Sequence, residues 1–222
     1  LLPEPTECDL FFDLEGVQDI VYPKGLEYLF GIYFEEKGQK IFKPFWAHNR
    51  EQEKKSLIKF FEFTKNHFEK YPKSKIYHYA PYEINALEKL TSIHKVHEVD
   101  MSHYLNLSKF VDLFKVVKQG IFVSQKSYSI KDIEKYYDFK RTGDILKGDV
   151  SEEFYIQWMQ KNDQQLLDKI EEYNKQDCIS TFRLRKWLLR IKPQQTRWFI
   201  PEKDKIEIRP VSYTHLTLPT RI

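Results

Sequence analysis

The segment at residues 10–16, Leu-Phe-Phe-Asp-Leu-Glu-Gly, constrains the fold more than any other part of the chain. A run this apolar and this short is typical of a buried strand rather than a helix. Because side chains alternate along a strand, Asp13 and Glu15 are expected to point to one side and Leu14 to the other. At about 4 Å and an effective dielectric constant of about 20, two such charges repel by about 4 kcal/mol, which protons or cations must offset.

Paired carboxylates without thiolates favour hard cations such as Mg²⁺ or Mn²⁺. Taken alone, a D-x-E pair favours the simpler interpretation of a strand end where two acids reach solvent. The metal interpretation therefore depends on whether other parts of the chain supply further acids.

Size and composition limit the fold and its partners. The 222 residues suit one α/β domain with a full core, and 36 basic against 33 acidic residues neither require nor exclude nucleic acid. Cys8 and Cys178 form no CxxC pair and no zinc-like spacing, which favours a reduced, cytoplasmic setting. The sequence contains no run of about 18 apolar residues, so no membrane span is expected.

Both ends of the sequence are expected to lie outside the domain. Residues 1–8 lack a basic-then-apolar leader and are interpreted as a linker from a missing upstream domain. Residues 210–220 resemble the translation of a common transposase sequencing adapter and are nearly free of charge. We therefore expect a domain over residues 9–192, the start of a downstream linker or domain over 193–209, and an artefact over 210–222.

Hydrophobic patterning predicts the remaining elements. Strands are expected at residues 25–34, 40–46 and 75–79, with a hairpin turn at 35–39. Helices are expected at residues 51–70, 82–90, 110–119, 129–137 and 163–191, and another, capped by Ser151, is expected to reach Met159. Residues 92–108 and 140–149 are expected to be loops. The histidines and Asp100 in the first loop fit no closed set of metal ligands.

The last predicted helix carries an acid where an apolar residue is expected. Asp177 lies within the apolar stripe of this helix, one turn after Tyr173. A carboxylate on the buried face of a helix is costly unless it is paired or metal-bound. A neighbouring lysine would explain Asp177 alone, and core packing would explain Tyr173 alone. Neither explanation accounts for Asp13, Glu15 and Asp177 together.

Several short motifs resemble those of the DEDD-type 3′–5′ exonucleases. Residues 13–15, Asp-Leu-Glu, resemble the first motif, and residues 173–177, Tyr-Asn-Lys-Gln-Asp, resemble the third in its Y-x-x-x-D form. Residues 78–83, His-Tyr-Ala-Pro-Tyr-Glu, fall where that family carries H-N-x-x-[FY]-D. Residues 110–113 and 128–131 resemble two later segments of the family.

Residues 3–189 are similar in more detail to one domain of the bacterial RecB-like nuclease/helicase fusion proteins. The likeness is carried by residues 25–31, 45–48, 77–83 and 173–181. It implies a ribonuclease H-like mixed sheet, with three antiparallel strands plus short parallel strands, flanked by helices. It also implies an upstream RecB-like nuclease domain and a downstream helicase domain as partners in the full-length protein.

The resemblance implies a two-metal site and a role for each acid. Two Mg²⁺ or Mn²⁺ ions about 4 Å apart would hydrolyse the phosphodiester bond. Tyr173 has a reference pKa of about 10, so it would orient the attacking water rather than act as its base at neutral pH. Asp112 is the rival for Glu83, which stands where the family has aspartate, although Asp112 could equally cap a helix. The implied metal ligands are Asp13, Glu15, Glu83 and Asp177.

Single-stranded DNA or RNA is the expected substrate. Stacking of terminal bases on tyrosines would contribute roughly 1–3 kcal/mol per base, while core packing is the alternative role for the same side chains. The alternative function is a catalytically weak nucleic-acid-binding or scaffolding module of a helicase machine, and a ribonuclease H-like endonuclease is a third possibility. The candidate nucleic-acid contacts are Tyr77, His78, Tyr79, Tyr82 and Lys131.

Overall fold

The computed structural model describes residues 2–18, 21–142 and 148–201. The adapter-like stretch at 210–220 lies outside the described residues, as does residue 1 and much of the predicted loop at 140–149. Within the described part of the chain, no helix is both long enough and apolar enough to cross a membrane.

The described residues form a mixed five-stranded sheet with helices packed on both faces. The strands are β1 (Leu10–Val17), β2 (Leu26–Glu36), β3 (Gln39–Trp46), β4 (Ile76–His78) and β5 (Phe110–Asp112). The helices are α1 (Arg50–Lys70), α2 (Tyr82–His94), α3 (Glu98–Asn106), α4 (Leu113–Gly120), α5 (Ile130–Ile133), α6 (Gly148–Lys161) and α7 (Gln164–Ile191). One 3-10 turn, Glu134–Tyr136, follows α5.

The strand order is β3-β2-β1-β4-β5. β1, β2 and β3 pair antiparallel, whereas β4 pairs parallel with both β1 and β5. The β2–β3 hairpin turns at Lys37 and Gly38, which both have positive φ (49° and 77°), the conformation that suits the right-handed twist of the two strands. The predicted α/β mixed sheet is confirmed.

β1 lies at the centre of the sheet, and its two faces have different neighbours. Phe12 and Leu14 join the apolar cluster that α1 and α2 cover. Phe11 lies on the opposite face, in the cluster that contains Phe182 of α7. Alternation therefore directs every second residue after Phe11 toward α7.

The expectation of a helix beginning at residue 110 is wrong. Phe110, Val111 and Asp112 pair with β4 as the short edge strand β5, and α4 begins only at Leu113. Three residues are too few for a period-2 pattern to be visible in the sequence. Hydrogen bonding to β4, a tertiary contact, determines their conformation.

Two further local predictions are wrong. Residues 98–106 form α3 rather than a loop, because Met101 and Tyr104 lie one turn apart and both bury against the main core. Ser151 does not cap a helix, since α6 already begins at Gly148. The Ser151 side chain is buried instead, with its Oγ 2.9 Å from the hydroxyl of Tyr28.

Candidate metal centre

Three acids from two distant segments meet between the sheet and α7. Asp13 and Glu15 project from β1, and Asp177 projects from α7, which packs on the same face of the sheet. One carboxylate oxygen from each residue lies within 4.8 Å of the others. Among the described residues, no other group of three or more acids, histidines or cysteines has such spacing.

The acid cluster destabilises the folded protein unless it binds a cation or a proton. Burial raises the pKa of Asp13 well above its usual range, and the neighbouring carboxylates of Asp177 and Glu15 raise it further. Burial, followed by the charge of Asp177, raises the pKa of Glu15 to about 8. At neutral pH the site therefore holds protons or attracts cations.

A buried arginine partly neutralises this cluster. The Arg141 Nη2 atom lies 2.5 Å from Asp177 Oδ1 and 2.6 Å from Glu134 Oε1. The Ser180 hydroxyl donates a further hydrogen bond of 2.7 Å to Glu134. Arg141 is not among the predicted site residues, because nothing in its local sequence indicates that it contacts Asp177, 36 residues further on.

An amide also contacts the acids. The Asn174 Nδ2 atom donates a hydrogen bond of 2.7 Å to Asp13 Oδ2, and the Asn174 side chain is fully buried. Asn174 lies within the Y-x-x-x-D motif, but the motif resemblance implies no role for it. The feature that could have indicated a role for Asn174 is its position next to Tyr173, on the side of α7 that faces the sheet.

Tyr173 lies one turn before Asp177 and is 6% exposed. Burial raises the pKa of its phenol, and the charges of Asp177 and Glu15 raise it further. The hydroxyl is therefore protonated at neutral pH, which suits a hydrogen-bond donor and not a general base. Lys131 lies over the Tyr173 ring, with its Nζ 5.3 Å from the ring centre.

Glu83 lies beside the three-acid group but outside it. It occupies the first turn of α2, is 5% exposed, and its charge contributes to the raised pKa of Asp13. The ring nitrogen Nδ1 of His78 lies 3.5 Å from Glu83 Oε2 and donates its proton to the carbonyl of Ala80 at 2.8 Å. Among the described residues, Glu83 Oε2 has no hydrogen-bond partner.

Asp112, the rival of Glu83, caps a helix. Its Oδ1 atom accepts hydrogen bonds from the backbone of Phe114 at 2.9 Å and of Ala80 at 3.0 Å. The first bond makes Asp112 the N-cap of α4, so the capping alternative is confirmed. Asp112 is not part of the three-acid group.

The candidate base-stacking residues differ in exposure. Tyr77 and His78 are interior (0% and 2% exposed), so a base cannot reach them and core packing is the correct interpretation. Tyr79 is partly buried and donates a hydrogen bond to the carbonyl of Tyr128. Tyr82 is 50% exposed and donates to Glu27 Oε2 at 2.9 Å. Tyr82 is therefore the tyrosine of this group most open to a ligand.

Fold and site together define a class of protein. It is an α/β domain whose central strand delivers clustered carboxylates, the ligand type that suits hard divalent cations. The chain belongs to the RNase H superfamily, since the RNase_H superfamily model matches residues 10–189. Membership indicates nuclease activity in general terms, and the acid cluster fits the divalent metals that such nucleases use. No curated protein matches the chain.

Proposed function

We propose that this domain is a two-metal 3′–5′ exonuclease that acts on single-stranded DNA or RNA. The observation that carries the proposal is the convergence of the carboxylates of Asp13, Glu15 and Asp177. The direction of cleavage and the setting between RecB-like nuclease and helicase domains come from the motif resemblance alone. The match to the RNase H superfamily is compatible with this direction of cleavage and with this domain setting.

The donor set fits Mg²⁺ or Mn²⁺. Asp13, Glu15 and Asp177 would bind the ions, and Glu83, which lies outside this group, would complete the ligand set. All three clustered ligands offer oxygen, and burial makes the unneutralised charges of Asp13 and Glu15 costly. When bound, the ions lower the pKa of a water molecule and stabilise negative charge at the phosphate.

The protein's own groups orient the reactants. Tyr173, kept protonated by its environment, donates a hydrogen bond that orients the attacking water. Lys131, beside the Tyr173 ring, provides a cation for a substrate phosphate. Tyr82, half-exposed and bonded to Glu27, presents a ring on which a terminal base stacks.

The direct test uses single-stranded DNA and RNA labelled at either end, incubated with the purified protein and Mg²⁺, Mn²⁺ or EDTA. A 3′–5′ exonuclease shortens 5′-labelled strands one nucleotide at a time and releases a mononucleotide from 3′-labelled strands. Internal fragments as the first products would instead identify an endonuclease. No cleavage with either metal would contradict the proposal.

The alternative is a domain that binds nucleic acid but cleaves it weakly. It is favoured by the position of Glu83 outside the three-acid group and by the bond between Arg141 and Asp177. Under this alternative, single strands would bind with the same affinity in Mn²⁺ and in EDTA, and little product would form even with Mn²⁺.

Tyr173→Phe is expected to lower the single-turnover cleavage rate by about 10- to 100-fold, because a hydrogen bond to a charged group contributes about 1.5–3 kcal/mol. Mn²⁺ affinity should be unchanged, since Tyr173 is not a ligand. Tyr155→Phe is a matched control, because Tyr155 is equally buried but lies outside the acid cluster. An unchanged rate for Tyr173→Phe would contradict the orienting role.

Mn²⁺ is expected to stabilise the protein more as the pH rises toward about 8. The folded-state pKa of Glu15 is raised from 4.5 to about 8, so the metal-free protein loses stability as the pH rises between these two values. Below about pH 8, protons compete with Mn²⁺ for the Glu15 carboxylate. At about 100 times its Kd, Mn²⁺ adds about 2.7 kcal/mol, or about 5–10 °C in Tm. Calorimetric melting with and without EDTA checks this. A Tm shift independent of pH, or equal in Asp13→Asn, would contradict it.

A further inference from the structure

Asn174 connects helix α7 to the acids of β1. Its amide nitrogen is 2.7 Å from Asp13 Oδ2, and hydrogen bonding from Asn174 also opposes the rise in the pKa of Glu15. The side chain is 0% exposed. One amide thus donates to Asp13 and lowers the pKa of Glu15, the two acids that β1 contributes to the cluster.

The space for this amide is provided by Gly31. Gly31 of β2 is the cross-strand partner of Asp13. A Cβ atom at Gly31 would lie 1.7 Å from Asn174 Oδ1, far inside van der Waals contact. Gly31 is not among the positive-φ glycines of the described chain, so its backbone does not require glycine. The severe clash is with the amide of Asn174, while the Phe42 ring, 3.1 Å from the added Cβ, is a milder second contact.

This contact also fixes the orientation of the amide. Because the Asn174 nitrogen faces the acids, its oxygen faces Gly31, where it has no hydrogen-bond partner among the described residues. A buried acceptor that has no hydrogen-bond partner lowers stability. An apolar side chain at this position would avoid that cost but could not donate to the carboxylates.

We propose that Asn174 is a positioning residue that orients the Asp13 carboxylate toward the metal, and that position 31 is glycine because a larger side chain would displace the Asn174 amide. The inference rests on the proposed metal-dependent function. Groups that orient metal ligands typically contribute about 10- to 100-fold to metal affinity. Asn174 itself touches neither ion nor substrate.

The test compares Asn174→Ala, Gly31→Ala and the double variant in the full chain. Mn²⁺ binding is measured by isothermal titration calorimetry, and metal-free stability by melting in EDTA. Two matched controls are Gly120→Ala, where an added Cβ meets no atom within 4 Å, and Asn66→Ala on the exposed face of α1.

Asn174→Ala should weaken Mn²⁺ binding by about 10- to 100-fold. Gly31→Ala should weaken it similarly and also lower Tm, because the new methyl displaces the amide. In the double variant the methyl occupies the space that the amide leaves. Its Tm should therefore recover relative to Gly31→Ala, whereas its Mn²⁺ affinity should stay at the Asn174→Ala level. Both controls should match the wild type.

Each other result has a distinct meaning. Wild-type Mn²⁺ affinity in a folded Asn174→Ala variant overturns the positioning role and leaves the proposed function intact. Additive losses in the double variant overturn the link to Gly31. If Gly31→Ala does not fold, the double variant still tests the inference. A double variant that folds and binds Mn²⁺ weakly supports it. An absence of Mn²⁺ binding by the wild type overturns the proposed function and the inference with it.

Discussion

Asp13→Asn is expected to remove metal-dependent cleavage and, above neutral pH, to raise the Tm of the metal-free protein. Asp13 is one of the three convergent acids, so its loss should lower the single-turnover rate by at least about 100-fold, the effect of misplacing a reacting group by about 1 Å. The asparagine keeps the volume of the side chain and an oxygen that accepts from Asn174. What is lost is one buried negative charge.

The gain in stability follows from the pKa of Asp13. Burial raises it in the folded state, and the charges of Asp177, Glu15 and Glu83 raise it further. A carboxyl group whose pKa is raised by folding costs stability as the pH rises above its unfolded value, about 3.9. The difference in Tm between Asp13→Asn and wild type should therefore be small near about pH 4 and grow with pH.

Asp177→Asn provides a contrast within the same site. It should lose cleavage to a similar extent but gain no stability, because it leaves the buried Arg141 with Glu134 as its remaining anionic partner. Asp168→Asn, on an exposed turn of α7, is the control for both measurements. A rate for Asp13→Asn within about tenfold of wild type would show that this carboxylate is not a ligand, since a ligand's loss should cost about 100-fold or more.

The sequence was sufficient to predict the centre of the fold and much of the site. The apolar run ending in Asp13 and Glu15 predicted β1 and a shared side for both acids. The buried position of Asp177 in an amphipathic helix indicated that its charge needs a partner. Both inferences depend on local periodicity. This periodicity predicts which side chains share a face, because strands and helices fix the direction of each side chain.

The features that were missed depend on contacts between distant segments. Arg141 reaches Asp177 across 36 residues, and Asn174 reaches Asp13 across 161. No local pattern encodes such pairs. β5 has the same limitation, because a three-residue strand exists only through its hydrogen bonds to β4. Tyr77 was predicted as a nucleic-acid contact but is buried. An aromatic residue in a strand can pack in the core or stack on a ligand, and the local sequence does not distinguish the two.

Glu83→Gln is expected to remove most Mn²⁺-dependent cleavage, by about 100-fold, with little loss of stability. The Glu83 carboxylate is buried and raises the pKa of Asp13, so its charge acts on the acid cluster. His78, its nearest cation candidate, already donates its Nδ1 proton to Ala80. Oε2 of Glu83 has no hydrogen-bond partner among the described residues, and glutamine preserves the volume while removing the charge.

Asp112→Asn is the matched variant, because its carboxylate is also buried and also has one oxygen without a hydrogen bond among the described residues. Its other oxygen caps α4 and holds the backbone of Ala80, two bonds that asparagine can also accept. Cleavage should therefore stay within about tenfold of wild type, whereas complete loss of the cap, in Asp112→Ala, should cost about 0.5–2 kcal/mol of stability. Single-turnover rates and thermal midpoints separate the two roles. If Asp112→Asn is inactive and Glu83→Gln is active, Asp112 and not Glu83 completes the metal site, and the cap is its secondary role.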